Sequence, residues 1–328
     1  MAEEDLKAKI KKHQKTIELL KKEVGKAVVG QHDIINAFIR GIISNGHILV
    51  EGVPGLAKTL IVRALSMAMG SEFKRIQFTP DLLPSDITGI STYEESRGFY
   101  VLKGPIFGNF ILADEINRAP PKVQSALLEG MQEKQVTIGK ETFALPYPFF
   151  VLATQNPLEQ LGTFPLPEAQ VDRFMFKLNI DYPTPEEEQI VLKKNITLQK
   201  FESFNIQPIM NPDMILEVYE DVKKIYVDRK IETYIVRLVD ATRHPTRYKI
   251  KTGKYISWGC SPRASTALYI ASKAEALMRG KTFVTPQHVK TITHDVFRHR
   301  LLLNYEGQSE GISSDDIIKD ILAHVPVP

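Results

Sequence analysis

Five short apolar runs between residues 47 and 180 are separated by stretches with helical spacing. A short run of this kind indicates a buried strand rather than a helix. The helical spacing is clearest in Lys58–Met69 and Lys122–Glu133. Strands that alternate with helices favour a parallel sheet covered on both faces, so the sequence predicts an α/β fold. The predicted strands are His47–Val50, Phe73–Phe78, Asn109–Ala113, Phe149–Thr154 and Met175–Ile180.

Two segments interrupt this alternation. Pro80–Lys103 and Lys134–Pro148 are predicted insertions, and the second has the alternating pattern of a hairpin with Gly139 near its tip. Two helices are predicted before the first strand: an amphipathic helix that ends near Gly25, and a second from about Asp33 to Ile43.

A domain boundary is predicted at Tyr182–Pro185. Thr184 is the expected N-cap of a helix in which Pro185 takes the first position, and Glu187 completes a capping box. Beyond this point the strand signals fade, and helix starts are indicated at Asp228, Ser261-Pro262 and Thr285-Pro286. We therefore predict a core with an N-terminal helix over residues 1–184, and a helical domain with a C-terminal tail over residues 185–328.

Composition and charge exclude several classes of protein. The 328 residues are 43% hydrophobic and 25% charged, which excludes a disordered or collagen-like chain. A net charge of +3 does not by itself indicate a nucleic-acid or membrane partner. The single cysteine, Cys260, excludes an internal disulfide, and the spacing of Cys and His does not favour zinc. Without a signal peptide or an apolar run near the ~18 residues of a membrane span, a cytoplasmic protein is expected.

The segment from Gly52 to Leu60 connects a predicted strand to a predicted helix. This is the context of a phosphate-binding loop, in which backbone N–H groups and the helix dipole surround the phosphates. Lys58 would contact the β- and γ-phosphate oxygens, and the Thr59 hydroxyl would bind Mg²⁺. Ala57 stands where a second glycine is usual, and an accidental loop is the alternative. The predicted nucleotide-binding residues are Gly52, Val53, Pro54, Gly55, Leu56, Ala57, Lys58, Thr59 and Leu60, with ATP or ADP as ligand.

Asp114 and Glu115 follow the predicted strand Asn109–Ala113. Open α/β sheets place ligands at the carboxyl ends of their strands, so both acids should lie beside the phosphate loop. Asp114 would hold Mg²⁺, and Glu115 would orient the attacking water. The alternative is an exposed acidic pair that caps a strand.

These motifs resemble those of the MoxR family of AAA+ ATPases, over about Val28 to Arg300. The resemblance lies in Pro54-Gly55 with Ala before the lysine, in Asp114–Ala119 and in Leu127–Glu133. It implies a five-stranded AAA+ core followed by a smaller helical lid. It also implies a ring, expected to be a hexamer, that hydrolyses ATP to remodel or activate partner complexes, with a von Willebrand factor A-domain protein as a partner.

The resemblance assigns further residues. Asn156 matches sensor 1, which contacts the γ-phosphate or the water; a turn formed by Asn156-Pro157 is the alternative. Arg173 matches the arginine finger that reaches the next subunit's site, against a local pair with Asp172. Arg263 matches sensor 2, acting on its own subunit or a neighbour's, against a purely structural role. Val29, Gly30 and Gln31 match the segment that packs the adenine ring, against an ordinary turn.

Two rival functions remain open. The first rival is a nucleic-acid or magnesium-chelatase motor of the same AAA+ branch, which would also hydrolyse ATP but act on a different client. The sequence has no basic stripe with interleaved aromatic residues, which argues against a nucleic-acid motor. The second rival is a nucleotide-gated scaffold, which would form the ring but hydrolyse ATP at a negligible rate.

Overall fold

A computed structural model describes residues 2–52, 58–96, 98–156, 162–193 and 200–328. The chain divides into two compact units. The sheet unit comprises Glu18–Arg173 and Leu178–Leu216, and the helical unit comprises Met1–Ile17, Phe174–Lys177 and Glu217–Pro328. The boundary placed at residue 184 from the sequence stays a prediction.

The bounds of the elements follow the predicted pattern closely. The helices are α1 (Ala2–Val24), α2 (His32–Ile43), α3 (Lys58–Ala68), α4 (Pro84–Thr88), α5 (Pro121–Glu133), α6 (Glu168–Val171), α7 (Pro185–Lys193), α8 (Pro212–Lys224), α9 (Arg229–Arg243), α10 (Pro262–Met278), α11 (Pro286–Phe297), α12 (Tyr305–Ser309) and α13 (Ser314–His324). The strands are β1 (Ile48–Glu51), β2 (Phe73–Gln77), β3 (Gly89–Glu94), β4 (Gly98–Lys103), β5 (Phe110–Asp114), β6 (Gln135–Ile138), β7 (Glu141–Ala144), β8 (Phe150–Gln155), β9 (Phe176–Asn179), β10 (Ile256–Trp258) and β11 (Leu302–Leu303).

The five predicted strands form one parallel sheet in the order β2-β5-β8-β1-β9, which confirms the predicted fold class. Phe110–Ala113 of β5 have no exposed surface, as expected where helices cover both faces of a sheet. The register pairs Gln77 with Asp114, and Val50 with Thr154. The carboxyl ends of the central strands therefore meet at one edge.

Both predicted insertions are antiparallel hairpins. The first consists of α4 followed by β3 and β4, and the second consists of β6 and β7 with Gly139 in the turn at φ +63°. Gly89, where α4 passes into β3, has a φ of +106°, and a side chain there would collide with the carbonyl of Leu102. Glycine is required at this junction because it tolerates positive φ and the close approach of another backbone segment.

Local capping chemistry explains several of the helix starts. The Thr184 N–H donates to Glu187 Oε2 at 2.9 Å, and the Glu187 N–H donates to Thr184 Oγ1 at 3.3 Å, which confirms the predicted capping box. In the helical unit, Asp228 and Ser261 accept hydrogen bonds from the first turns of α9 and α10, and Thr285 forms a capping box at α11. No helix among these described ranges is long and apolar enough to cross a membrane.

Candidate functional site

The predicted phosphate loop begins at the carboxyl end of β1. Gly52 directly follows this strand, and its N–H lies 3.4 Å from the carbonyl of Gln155 at the end of β8. Lys58, Thr59 and Leu60 form the first described turn of α3, and each is partly exposed. Val53, Pro54, Gly55, Leu56 and Ala57 lie outside the described residues. The two described ends of the loop, Gly52 and Lys58, therefore lie at the carboxyl edge of the sheet.

Lys58 lies close to the predicted metal ligand Asp114 and the predicted catalytic residue Glu115. Its Nζ donates to the carbonyl of Gly52 at 2.7 Å. Burial lowers the pKa of Lys58, while the negative charges of Asp114 and Glu115 act in the opposite direction. The ammonium group is therefore partly desolvated, so its attraction to an anion is stronger than it would be in open water.

Asp114 is held from two sides at the end of β5. Thr154 Oγ1, on β8, donates to Asp114 Oδ1 at 2.7 Å. Arg75, on β2, donates to Asp114 Oδ2 from Nη2 at 2.6 Å and from Nε at 3.2 Å. Charge-assisted hydrogen bonds of this kind fix a carboxylate firmly. The side chain retains 17% of its surface exposed, so part of the carboxylate faces solvent.

Glu115 adopts a left-handed backbone conformation, with φ +56° and ψ +50°. Residues other than glycine seldom adopt left-handed backbone angles. Such conformations persist where surrounding contacts impose them. Here the Glu115 N–H donates to Thr154 Oγ1 at 2.8 Å, and Gln77 Nε2 donates to Glu115 Oε2 at 2.9 Å. Arg118 Nε lies 3.3 Å from the same oxygen. The Glu115 carboxylate therefore has partners on β2 and in the following turn, whereas Asp114 is held by β2 and β8.

Arg75, Gln77 and Thr154 were not identified as site residues from the sequence. Arg75 and Gln77 are two positions apart on β2 and so project from one face, and they are joined by a hydrogen bond of 2.7 Å. Thr154 is 1% exposed. Its hydroxyl donates to the Asp114 carboxylate and accepts from the Glu115 backbone N–H. A polar side chain near the carboxyl end of an otherwise apolar strand was the available signal for Thr154.

Asn156 and Arg173 lie in the same unit as these acids. Asn156 directly follows β8 and is 7% exposed. Arg173 donates from Nη1 to the carbonyl of Leu128 on α5 at 3.1 Å. It lines an open cavity of about 240 Å³ whose other residues are Ser125, Glu129, Gln132, Glu133 and Gln170. The described hydrogen bond of Arg173 therefore goes to α5, and not to Asp114 or Glu115.

Arg263 lies in the helical unit, at the second position of α10. Pro262 precedes it, and its backbone N–H donates to Ser261 Oγ at 3.2 Å, as the sequence predicted for this helix start. Its residue surface is exposed.

Val29, Gly30 and Gln31 connect α1 to α2. Gly30 and Gln31 have φ values of +65° and +52°. A side chain at Gly30 would collide with the carboxylate of Glu187 near the start of α7. Glycine is favoured at position 30 by its positive φ, whereas the flexible Glu187 side chain could move aside for a larger residue.

The oxygen atoms at this edge fit a magnesium ion. Mg²⁺ prefers carboxylate, hydroxyl and phosphate oxygens and keeps several of its waters. Asp114 presents a partly exposed carboxylate, and Thr59 presents a hydroxyl in the first described turn of α3. Together they match a cation that is held mainly by nucleotide phosphates.

Two family models match the chain. The model for the ATPase family associated with various cellular activities covers residues 47–176, and the model for the AAA lid domain covers residues 250–321. The first contains Lys58, Asp114, Glu115, Asn156 and Arg173, and the second contains Arg263.

Related proteins match over nearly the whole chain. Chaperone MoxR1 of Mycobacterium tuberculosis is 45% identical over 93% of this chain and 81% of its own length. The uncharacterized protein YeaC of Bacillus subtilis is 43% identical over 93% of this chain and 92% of its own. A crystal structure of a candidate ATPase from Cytophaga hutchinsonii is 47% identical, with a TM-score of 0.92 over 100% of this chain and 98% of that one.

Proposed function

Because the chain belongs to the MoxR family of AAA+ ATPases, we propose that it binds Mg²⁺·ATP at the carboxyl edge of its sheet and hydrolyses it to ADP and phosphate. One observation carries this proposal: the Thr154 hydroxyl bonds both the Asp114 carboxylate and the Glu115 backbone, beside the partly buried ammonium group of Lys58. A positive charge and two carboxylates in separate environments are the groups that phosphoryl transfer to water requires.

Each residue has a distinct role in the proposed reaction. Lys58 would exchange its bond to the Gly52 carbonyl for bonds to the β- and γ-phosphates, with no change in its own charge. Glu115 would orient water for in-line attack on the γ-phosphorus and accept a proton from it. Asn156 would position the same water or a γ-phosphate oxygen. Mg²⁺, held through Asp114 and Thr59, would neutralise charge on the phosphates.

The contacts of β2 fit a resting arrangement of the site. Arg75 satisfies one oxygen of Asp114, and Gln77 occupies one oxygen of Glu115. In the nucleotide-bound state Asp114 would release Arg75 and help to hold Mg²⁺, and Glu115 would exchange Gln77 for water. Gln77 and Arg75 are therefore positioning residues, because they act on the acids and not on the substrate.

We further propose that the active form is a ring, with a hexamer as the expected size. Arg173 would reach the nucleotide of the neighbouring subunit, and Arg263 would respond to nucleotide from the helical lid. Turnover would then drive movement that remodels or activates a partner complex, with a von Willebrand factor A-domain protein as the partner that the family suggests. The open cavity beside Arg173 supports this proposal, since the guanidinium group borders a surface that another chain can approach.

Steady-state phosphate release tests the enzymatic part of the proposal. The wild type should hydrolyse Mg²⁺·ATP, and Glu115→Gln should bind ATP with similar affinity while its turnover falls by a factor of about 100 or more. Equal, near-background rates in the two proteins would instead identify a nucleotide-gated scaffold. Incubating the Glu115→Gln protein with ATP and a cell extract would capture client complexes that release only after hydrolysis.

A further inference from the structure

The chain that follows Arg173 is held by the residues just beyond helix α11. The carbonyl oxygen of Phe174 accepts two hydrogen bonds, from Arg300 Nη2 at 2.7 Å and from His299 Nε2 at 3.0 Å. Phe174 has no exposed surface, and His299 and Arg300 are each 7% exposed. A carbonyl oxygen has two lone pairs, so side chains of this segment fill both acceptor positions of Phe174.

Arg300 binds two further backbone carbonyls. Its Nη1 donates to Met175 at 3.1 Å and to Val296, in the last turn of α11, at 2.6 Å. Carbonyl groups in the last turn of a helix lack partners within the helix, and this side chain supplies a partner to one of them. A guanidinium group is planar and holds its N–H donors in fixed directions. Arg300 therefore fixes Phe174 and Met175 relative to the end of α11.

Arg298 binds a carbonyl further along the same segment. Its Nη1 donates to Lys177 at 2.6 Å, and its Nε donates to Asp315 Oδ2 on α13 at 3.0 Å. The segment Phe174–Lys177 and the side chains that bind it all belong to the helical unit. Consecutive side chains after α11 therefore hold this segment at several points along its backbone.

Arg173 is the residue directly before the bound segment, and it belongs to the sheet unit. Consecutive Cα atoms are about 3.8 Å apart across a planar peptide bond, so the position of Phe174 restricts where the Arg173 side chain begins. The Arg173 guanidinium group donates to the Leu128 carbonyl at 3.1 Å and borders an open cavity. The base of this side chain is thus held firmly, while its charged end borders a surface that another chain can approach.

We propose that Arg300, together with His299, is a positioning residue for Arg173. By fixing the backbone at Phe174, it sets the point from which the Arg173 side chain extends toward the nucleotide of the neighbouring subunit. This inference rests on the proposed function, because it needs Arg173 to act in that neighbouring site. A charge that stabilises the transferred phosphoryl group must be placed accurately, and an error of about 1 Å can lower the rate by a factor of about 100.

Steady-state hydrolysis by Arg300→Met provides the first test. Methionine has a similar length and no donors, so turnover should fall by a factor of about 10–100, while ATP affinity stays within about twofold. Lys273→Met is the matched control, because the Lys273 ammonium group is also buried in the helical unit and also donates to a backbone carbonyl, that of Lys223 at 2.9 Å. Its turnover should stay close to that of the wild type, even where urea denaturation shows a similar loss of stability.

Mixed rings show whether the defect acts through Arg173. Arg300→Met subunits keep Glu115, and Glu115→Gln subunits keep a correctly placed Arg173, so mixing the two should raise turnover above that of either protein alone. Arg300→Met mixed with Arg173→Ala should show no such gain, because neither protein then supplies a functional finger. If Arg300 served only its own subunit's nucleotide site, the intact site of Arg173→Ala would receive a working finger from Arg300→Met, and turnover would rise.

His299→Leu replaces Arg300→Met if that protein does not fold or assemble, since it removes the other donor to the Phe174 carbonyl, and the same mixing pattern is expected. Unchanged turnover in the variant, an equal loss in Lys273→Met, or a gain on mixing with Arg173→Ala would overturn the positioning role and leave the ATPase proposal intact. Wild-type turnover in Arg173→Ala would overturn the finger and this inference together. A wild type that does not hydrolyse ATP would overturn the proposed function itself.

Discussion

The hydroxyl of Thr154 lies 2.7 Å from Asp114 Oδ1 and 2.8 Å from the backbone nitrogen of Glu115. It donates to the first and accepts from the second, so both hydrogen-bonding capacities of one side chain link β8 to the acidic end of β5. The Glu115 N–H makes this bond from a left-handed backbone conformation, with φ +56° and ψ +50°.

Replacing Thr154 with valine should impair hydrolysis more than binding. The change keeps the shape of the side chain and removes the hydroxyl, leaving the Glu115 N–H and one oxygen of Asp114 without this partner. Turnover should fall by a factor of about 10–100, and the free energy of unfolding should decrease by about 1–3 kcal/mol. Phosphate release, ATP affinity and urea denaturation measure these effects. Thr154→Ser keeps the hydroxyl and should retain most activity; an equally inactive serine variant would contradict this explanation.

Lys58→Ala should abolish ATP binding while the protein remains folded. The lysine is partly desolvated, and its pKa is lowered by burial, so its removal takes away a charge that the unliganded fold stabilises only weakly. Binding of a fluorescent ATP analogue and circular dichroism melting report the two properties separately. Unchanged nucleotide affinity in the variant would refute the phosphate-loop assignment.

Arg173→Ala should slow hydrolysis by a factor of about 10³ or more and leave ATP binding intact, if the guanidinium group stabilises charge on the transferred phosphoryl group. Mixing this variant with Glu115→Gln provides the sharper test. Where the two meet in a ring, an intact Glu115 from one subunit can face an intact Arg173 from the other, and activity should partly return. Mixed assemblies that contain both proteins and stay inactive would exclude action between subunits.

Buried His47 and half-buried Lys134, at the opposite end of the sheet, predict a pH dependence of stability. His47 Nδ1 accepts the Val151 N–H at 3.0 Å, and Lys134 Nζ lies 2.8 Å from His47 Nε2. Burial lowers the pKa of Lys134 to about 8. The unfolded chain, with an ordinary lysine pKa near 10.4, therefore binds more protons than the folded chain between about pH 8 and 10.4. Over that window the contribution of Lys134 to the free energy of unfolding should rise with pH.

Urea denaturation of the wild type and Lys134→Met, between about pH 7.5 and 10, measures this contribution. The stability difference between the two proteins should shift by on the order of 2 kcal/mol in favour of the wild type toward high pH. Comparison with the variant cancels the titration of all other groups. A difference that stays constant across the range would show that Lys134 titrates normally in the folded protein.

The sequence by itself determined the features that depend on neighbouring residues. Side-chain periodicity was sufficient to predict the strands and helices. A spacing of three residues was sufficient to predict the capping box of Thr184 and Glu187. The resemblance that identified the family rested on contiguous motifs of the same local kind.

Only the tertiary structure decided which side chains surround the two acids. Asp114 meets Arg75 from one neighbouring strand and Thr154 from the other, and these partners are 39 and 40 residues away along the chain. The order β2-β5-β8-β1-β9 creates these contacts, and periodicity does not specify strand order or register. The same holds for Gly89, whose need for glycine arises partly from the approach of the Leu102 carbonyl on the next strand, because a steric requirement between two strands exists only after the chain has folded.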